Sequence, residues 1–227
     1  MDPVQICNTA LAHIGDRRIT QLDQAAQESN ALVRLCAEFY DQARKVTLAA
    51  HRWSFAKKAA ILTRNPAAVL FGPFRFSHYL PEDHIRTMKL HRGGPPVDGI
   101  DPPYTGQIDH FQIMSGEIWS NDEYIGLEYI FDNQDPAKWT PHFQAAVARL
   151  MAHYIAGALA DNPAMAARML EIYERNDLPN AQFYDSVQDN SGENGFRDQG
   201  TRLAGSPSLR SRRSGAGYAR DPYGHTP

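Results

Sequence analysis

Two acids and a histidine stand together in the stretch FSHYLPEDHIRTMKLH, residues 76–91. Glu82, Asp83 and His84 are residue types that bind metal ions or transfer protons, and they follow Pro81 between two strand-like segments. A metal site needs three or four side chains that converge on one ion, whereas neighbouring residues of a strand point to opposite faces. Pro81 predicts a turn with solvated acids, so we expect neither catalysis nor metal binding here.

The rest of the sequence shows no recognised catalytic or cofactor motif. It has no G-x-S-x-G nucleophile motif, no P-loop lysine motif and no glycine-rich dinucleotide loop after a strand. The only cysteines, Cys7 and Cys36, lie on apolar helical faces without the spacing of a zinc site, so we expect buried, reduced thiols. The sequence therefore predicts a protein without enzyme activity and without a cofactor.

Two aromatic residues, Trp53 and Phe55, admit two interpretations. In the stretch HRWSFAKKAAIL they precede Lys57 and Lys58, a combination that would suit a stacking platform for nucleic-acid bases. The alternative is that both rings fill the core where a long helix meets the sheet, because aromatic residues at helix ends mostly pack. We favour the second interpretation and expect Trp53 to be a core anchor.

Composition and charge favour a soluble globular protein with an uneven charge distribution. Of the 227 residues, 42% are hydrophobic, and no apolar run is long enough to cross a membrane. The N-terminus begins with an acid and lacks the basic region of a secretory signal. The net charge is −3, but residues 199–227 contain five arginines against Asp221 alone. A mildly acidic body therefore carries a basic tail.

Apolar residues at helical spacing predict four helices. Asp2-Pro3, Thr140-Pro141 and Asn162-Pro163 are starts in which a capping residue precedes a proline at the first helical position. We expect Pro179 to interrupt the last helix. The predicted helices cover residues 3–14, 25–51, 141–160 and 163–178.

The middle of the chain, residues 72–131, changes to a strand pattern. Strand-like runs cover residues 74–79 and 85–91, FQIM-SG-EIWS predicts a hairpin, and residues 125–131 alternate cleanly. Residues 92–106 are rich in glycine and proline and predict a protruding loop. The fold class is therefore α+β, with antiparallel helical pairs at both ends of the chain packed with a small antiparallel β-sheet.

From Ser186 the sequence loses its periodicity and becomes rich in glycine, serine, proline and arginine. Such a composition cannot bury enough apolar surface to order itself, so residues 1–185 form the domain and residues 186–227 an extended C-terminal arm. The arm has three possible roles: it holds DNA phosphates, docks into a groove of a partner, or has no partner.

Five stretches occur in order along the chain: ALAHIGDRRITQLD, FYDQARKVTLAAHRWSFAKKAAIL, FSHYLPEDHIRTMKLH, SGEIWSNDEYIGLEYI and DPAKWTPHFQAAVARLMAHYIAGAL. Together they resemble the head-to-tail adaptors of tailed bacteriophages, including the tail tubular protein A group of short-tailed phages. The most specific elements are the turn Trp53-Ser54-Phe55-Ala56 and the corner Tyr79-Leu80-Pro81-x-Asp83-x-x-Arg86. The order and spacing of the five stretches carry the resemblance.

The resemblance implies a structural virion protein without catalytic residues, whose adaptor domain is residues 1–185. Twelve subunits would form a ring in the neck of the virion, with the portal protein above and a tail or nozzle protein below. Genomic DNA would pass through the ring. The virion would be assembled in the host cytoplasm, and the protein would have no membrane partner. Pro81 would set the bend of the corner, and Asp83 and Arg86 would form local or intersubunit pairs.

The chain departs from the family pattern in the enlarged loop 92–106 and in the length of its tail. We expect the tail to dock on the portal, because arginine offers forked donors to carboxylates and tyrosine offers a flat anchor. The predicted docking residues are Arg202, Arg210, Arg212, Arg213, Tyr218, Arg220 and Tyr223. The alternative is a DNA-binding packaging or regulatory protein that uses the basic tail. A small hydrolase built around His84 is a third hypothesis.

Overall fold

Helices and strands alternate in blocks along the chain, as an α+β fold requires. The structure is a computed structural model that describes residues 1–68, 72–94, 106–159 and 162–188. The helices of this part are α1 (Pro3–Ile14), α2 (Gln24–Ser29), α3 (Ala31–Ala50), α4 (Pro141–Leu159), α5 (Pro163–Ile172) and α6 (Leu178–Gln188). The strands are β1 (Lys57–Ile61), β2 (Phe76–Tyr79), β3 (His84–Arg92), β4 (Gln112–Met114), β5 (Glu117–Ser120) and β6 (Ile125–Phe131). The α+β fold class is confirmed.

The first helix has the predicted bounds because its signals are local. The Asp2 carboxylate accepts a hydrogen bond from the Gln5 backbone at 2.7 Å, and the Gln5 side chain accepts one from the Asp2 backbone, which forms a capping box. Gly15 ends the helix at φ 75°, a left-handed conformation that glycine adopts without steric cost. The helix predicted at 3–14 is confirmed.

The helix predicted at 25–51 is wrong as a single element. The chain breaks at Asn30, whose extended backbone (φ −135°, ψ 114°) ends α2 and whose side chain caps α3 by accepting from the Leu32 backbone at 2.9 Å. Asparagine competes for backbone hydrogen bonds and therefore favours caps over helix interiors. The result is a short helix followed by a long one.

The C-terminal helices extend further than predicted. Residues 163–172 are α-helical, Tyr173–Asp177 form a π-helical turn, and α6 then continues to Gln188. Pro179 therefore does not interrupt the helical path: it occupies the second position of α6, and the wider π turn directly precedes α6. The arm cannot begin at Ser186, because residues 186–188 are helical.

Two three-stranded antiparallel sheets replace the single sheet of the prediction. The first sheet has the order β1-β6-β3 and the second has the order β2-β5-β4. The sequence prediction missed β1, which pairs with β6 along its whole length, from Lys57 opposite Ile130 to Ile61 opposite Gly126. The predicted hairpin is confirmed, with Ser115 at φ 53° and Gly116 at φ 78° in its two-residue turn.

Two apolar cores lie on either side of the first sheet. Because side chains alternate along β6, Leu127 and Tyr129 face the sheet core, whereas Ile130 belongs to the helical core. The helical core joins helices from both ends of the chain, including Leu11 of α1 and Phe143 of α4. The seven buried residues of the sheet core come from strands of both sheets and from the adjoining segments at Leu62 and Ile108; the five strand residues are Leu90, Ile118, Ile125, Leu127 and Tyr129.

Parts of two sequence predictions lie outside the described residues. Residues 95–105 cover most of the predicted loop 92–106, and residues 189–227 cover most of the predicted arm. Among the helices that the structure describes, none is both long enough and apolar enough to cross a bilayer.

Candidate functional site

The PEDH corner is a tight turn at the start of β3. The His84 backbone N–H donates to the Pro81 carbonyl at 3.0 Å, which closes the turn. Just before it, the Tyr79 backbone N–H donates to the Thr63 carbonyl at 3.0 Å, and the Tyr79 side chain is 49% exposed. Glu82 at the tip is exposed. This part of the chain is a corner between the two sheets.

Asp83 is held by two side chains of the first sheet. Lys58 Nζ lies 2.7 Å from Oδ2, and the Tyr129 hydroxyl donates to Oδ1 at 2.8 Å. Burial opposes ionisation of Asp83, but the hydrogen bonds from Lys58 and Tyr129 outweigh it and hold its pKa below the usual value. Asp83 is therefore a charged structural residue that ties the corner to β1 and β6.

His84 has a separate partner and does not approach Asp83 as a proton-transfer pair would. Its Nε2 lies 2.9 Å from the Thr87 hydroxyl, and burial lowers the His84 pKa below its ordinary value although the Asp83 charge opposes this. Within the described residues, no three histidine, cysteine or carboxylate side chains converge as a metal-binding group. The arrangement at this corner supports packing and charge pairing.

Of the two corner residues expected to form local or intersubunit pairs, Asp83 pairs locally with Lys58, and Arg86 has a different kind of partner. Arg86 instead donates to the Ala49 carbonyl at 3.1 Å, near the C-terminus of α3. The Trp53 indole N–H donates to a second carbonyl of the same helix end, Thr47, at 2.8 Å. Since the last four carbonyls of a helix lack partners within it, these two side chains satisfy groups that α3 leaves open.

Trp53 is fully buried, and its ring contacts other aromatic rings. Its centroid lies 4.8 Å from Phe143, 5.9 Å from Phe55 and 4.9 Å from the ring of His51, and the Phe143 and His51 rings meet it edge-on. A ring with no exposed surface cannot stack on a base. The structure therefore supports the core-packing interpretation of Trp53 over the stacking platform.

A buried carboxylate that the sequence did not reveal fastens α6 to the same region. Asp185 is fully buried and accepts from the Ser54 backbone N–H at 3.0 and 3.1 Å and from the Ser54 hydroxyl at 2.7 Å. The two residues are 131 positions apart, so no local sequence pattern predicts the contact. The Trp53-Ser54-Phe55-Ala56 turn is thus held by the last described helix.

A serine, a histidine and an aspartate lie near one another here, as in a hydrolase triad, but their arrangement differs from that of a triad. They are Ser54, His51 and Asp185. A triad needs the histidine between the hydroxyl and the carboxylate, so that the ring takes the hydroxyl proton. Here the Ser54 hydroxyl donates directly to Asp185, and His51 Nε2 lies 3.6 Å from that carboxylate without a hydrogen bond. Burial lowers the His51 pKa, although Asp185 opposes this. The hydroxyl is not activated as a nucleophile.

The predicted docking residues of the arm, from Arg202 to Tyr223, lie outside the described residues. Of the other predicted residues, Trp53 and Arg86 each donate to a carbonyl at the end of α3, whereas Asp83 pairs with Lys58. A comparison with protein-family models finds no match to this chain, and a comparison with curated proteins finds none either.

Proposed function

We propose that this protein is a head-to-tail adaptor of a tailed bacteriophage, a structural subunit without catalytic activity. Twelve copies form a ring in the neck of the virion, below the portal and above a tail or nozzle protein. The ring joins the DNA-filled head to the tail and lines the channel through which the genome leaves. The proposal rests on the resemblance of the five ordered stretches.

The observation that supports it best is the position of the two most specific stretches. The Trp53 turn and the Arg86 corner are 33 positions apart in sequence, yet both donate to carbonyls of the same helix end, Thr47 and Ala49. Both stretches therefore satisfy carbonyls of one helix end, which is a structural role and not a catalytic one. A third contact lies next to these two: the Asp185 carboxylate of α6 accepts from the Ser54 hydroxyl.

The charge distribution suits a DNA conduit. Residues 1–198 carry a net charge of −7 and residues 199–227 carry +4. An acidic body repels phosphates, so DNA slides past it without the salt-dependent retention that a basic surface causes. The basic tail is then the part that fastens the subunit to the portal, through arginine pairs with carboxylates of the partner.

The direct test is assembly with the cognate portal followed by electron microscopy. We expect a ring of this protein below the portal, even if the free protein stays monomeric. A portal that remains bare at saturating protein contradicts the proposal. Salt-sensitive affinity of the free chain for duplex DNA would instead favour the packaging or regulatory alternative, since that class depends on phosphate contacts.

Deletion of residues 199–227 tests the role of the arm. We expect a folded subunit that no longer attaches to the portal, because the arginines and both tyrosines are lost, and heads that leak DNA. If the arginines hold DNA instead, the truncated chain attaches to the portal but loses its DNA affinity. Normal seating of the truncated chain with unchanged DNA binding contradicts both roles.

A further inference from the structure

The two cysteines of the chain meet inside the helical core. Cys7 of α1 and Cys36 of α3 are both free and fully buried. The Cys7 thiol donates a hydrogen bond to the Cys36 sulfur, so the two sulfur atoms lie close together although they belong to different helices. A single buried cysteine serves as a small apolar residue, whereas two thiols in contact share a reaction, the formation of a disulfide.

The hydrogen bond gives the two thiols different acidities. It stabilises the charged form of Cys36 and holds the pKa of that thiol below its usual value, although burial opposes this. The same hydrogen bond and burial raise the pKa of the Cys7 thiol. Because the thiolate is the nucleophile in thiol oxidation, Cys36 is the sulfur that reacts first with an oxidant, and Cys7 is the sulfur that completes the disulfide.

A metal site explains the two thiols less well than a disulfide does. Structural zinc sites have four side-chain ligands and catalytic zinc sites have three. Within the described residues, no third histidine, cysteine or carboxylate joins the two thiols to form a metal-binding group. The hydrogen bond also needs the Cys7 proton, which a bound metal ion would displace.

The two cysteines lie between helices that are otherwise weakly connected. Helix α1 packs chiefly on α4 and has little contact with α3. A disulfide between Cys7 and Cys36 would close a loop of residues 7–36, which contains α2 and the connections on both sides of it. Such a crosslink reduces the conformational freedom of the unfolded chain and thereby stabilises the folded chain.

We propose that Cys7 and Cys36 are a redox pair, which is reduced during assembly in the host cytoplasm and oxidised to a disulfide between α1 and α3 in the released particle. The timing rests on the proposed function, because the cytosol keeps thiols reduced whereas disulfides persist on virions outside the cell. The disulfide then holds α1 on α3 in each subunit after assembly.

The reaction needs a small oxidant, and a hydroperoxide is the class that suits it. The Cys36 thiolate attacks one oxygen of hydrogen peroxide, the O–O bond breaks, and the hydroxide that leaves takes up the thiol proton as water. The Cys7 sulfur then attacks the Cys36 sulfenic acid, forms the S–S bond and expels its hydroxyl group as a second water. Two thiols are oxidised and one peroxide is reduced. Since both sulfurs are buried, peroxide reaches them during local opening of the helices.

Hydrogen peroxide added to the purified full chain tests this reaction. We expect the intact mass to fall by two hydrogen atoms per chain, and neither cysteine to react with a maleimide after denaturation. Peptide mapping should show Cys7 and Cys36 joined within one chain. The melting temperature should rise by about 5–10 °C, because the disulfide closes a loop of residues 7–36, and a reducing agent should reverse the rise.

The single variants Cys7→Ala and Cys36→Ala are the matched controls, because each keeps one thiol and cannot form the disulfide within a chain. Peroxide should not raise their melting temperatures. A parent chain that gains oxygen atoms without losing both thiols, or that forms the disulfide only after denaturation, overturns the inference. These mass measurements use the parent chain alone, so they decide the question even if a variant fails to fold.

The state of the thiols in the particle tests the timing. Infected cells and released particles are each precipitated with acid and then denatured in N-ethylmaleimide. We expect both thiols of this protein to be labelled in the cells and neither to be labelled in the particles. Free thiols in released particles overturn the inference and leave the proposed function intact. If the particles contain no copy of this protein, the proposed function and the timing both fail, whereas the peroxide measurements still decide whether the disulfide forms.

Discussion

The helical core and the sheet core differ in how completely they are enclosed. The helical core contains large buried side chains from helices at both ends of the chain, such as Leu11 and Phe143, together with Trp53 from the turn after α3. The sheet core has seven buried residues, and the sheets around it expose Ile61, Tyr79 and Met114. Since apolar burial supplies most of the stabilisation, the helical core contributes more to the stability of the fold than the sheet core, whose sheets leave large apolar side chains exposed.

Helix α6 packs against the helical core but also exposes large apolar side chains. Helix α6 exposes Tyr184 and Val187, and the Tyr184 ring stacks on His142 with centroids 3.9 Å apart. The same helix buries Asp185 against Ser54. The last described helix is therefore anchored by one polar contact on its inner face and apolar on its outer face, immediately before the residues proposed as the portal-docking arm.

The largest expected effect comes from emptying the centre of the helical core. Trp53→Ala should lower the free energy of unfolding by about 3–5 kcal/mol, because it leaves a cavity and removes the hydrogen bond to Thr47. Chemical denaturation of both proteins measures the difference. Val46→Ala on the surface of α3 is the control and should change little. A Trp53→Ala protein as stable as its parent would mean that the helices do not carry the stability.

A smaller loss is expected where α6 joins the turn. Asp185→Ala should destabilise the protein by about 1.5–3 kcal/mol, because it removes a buried charged acceptor and leaves the Ser54 N–H without a partner. Ser54→Ala removes only the hydroxyl donor and should cost less. Thermal melts of the two variants, measured side by side, check this order. Equal losses in both variants would show that the backbone N–H contributes nothing.

The smallest effect is a pH dependence that originates in the sheets. His78 is fully buried in β2, with Nε2 2.9 Å from the Glu123 carbonyl, and burial lowers its pKa below the ordinary 6.5. The unfolded chain therefore binds this proton more readily than the folded chain. The stability that neutral His78 supports should be complete above about pH 6.5 and decline as the pH falls.

Denaturation of the parent and of His78→Gln at about pH 7 and about pH 5 measures this contribution. Glutamine keeps a donor for the Glu123 carbonyl but does not titrate, so the variant should lose less stability on acidification. His51 in the helical layer also has a pKa lowered by burial and continues to contribute in the variant. If His78→Gln loses as much stability as the parent between the two pH values, the pH dependence does not originate in His78 or in the second sheet.

Elements with local signals could be predicted from the sequence. The capping box of Asp2 and the Ser115-Gly116 turn depend on contacts within four residues, and α1 and the hairpin have the expected bounds. Strand β1 could not be predicted in this way, because its lysines and alanines have little strand propensity. Its pairing with β6 decides its conformation. Tertiary contacts override weak local preference at this position.

The contacts of Trp53 and Arg86 at the end of α3 could be predicted from the sequence only in part. The stretches around Trp53 and Arg86 stand out in the sequence, but β3 has one register shift between His84 and Arg86, immediately before the side chain that donates to α3, and a second between Thr87 and Lys89. Such bulges redirect side chains and leave no distinct signal in a single sequence. Asp185 was missed for a related reason, since an acid on a helix normally faces water.

The end of α3 has a consequence for how the chain folds. Its Thr47 carbonyl accepts from nearby Trp53, whereas its Ala49 carbonyl accepts from Arg86 of β3, so this second hydrogen bond forms only with the first sheet. Arg86 thereby couples the hydrogen bonding of α3 to the formation of the first sheet. A chain built in this way should unfold in a single cooperative transition, and the helices alone should fray from the C-terminus of α3.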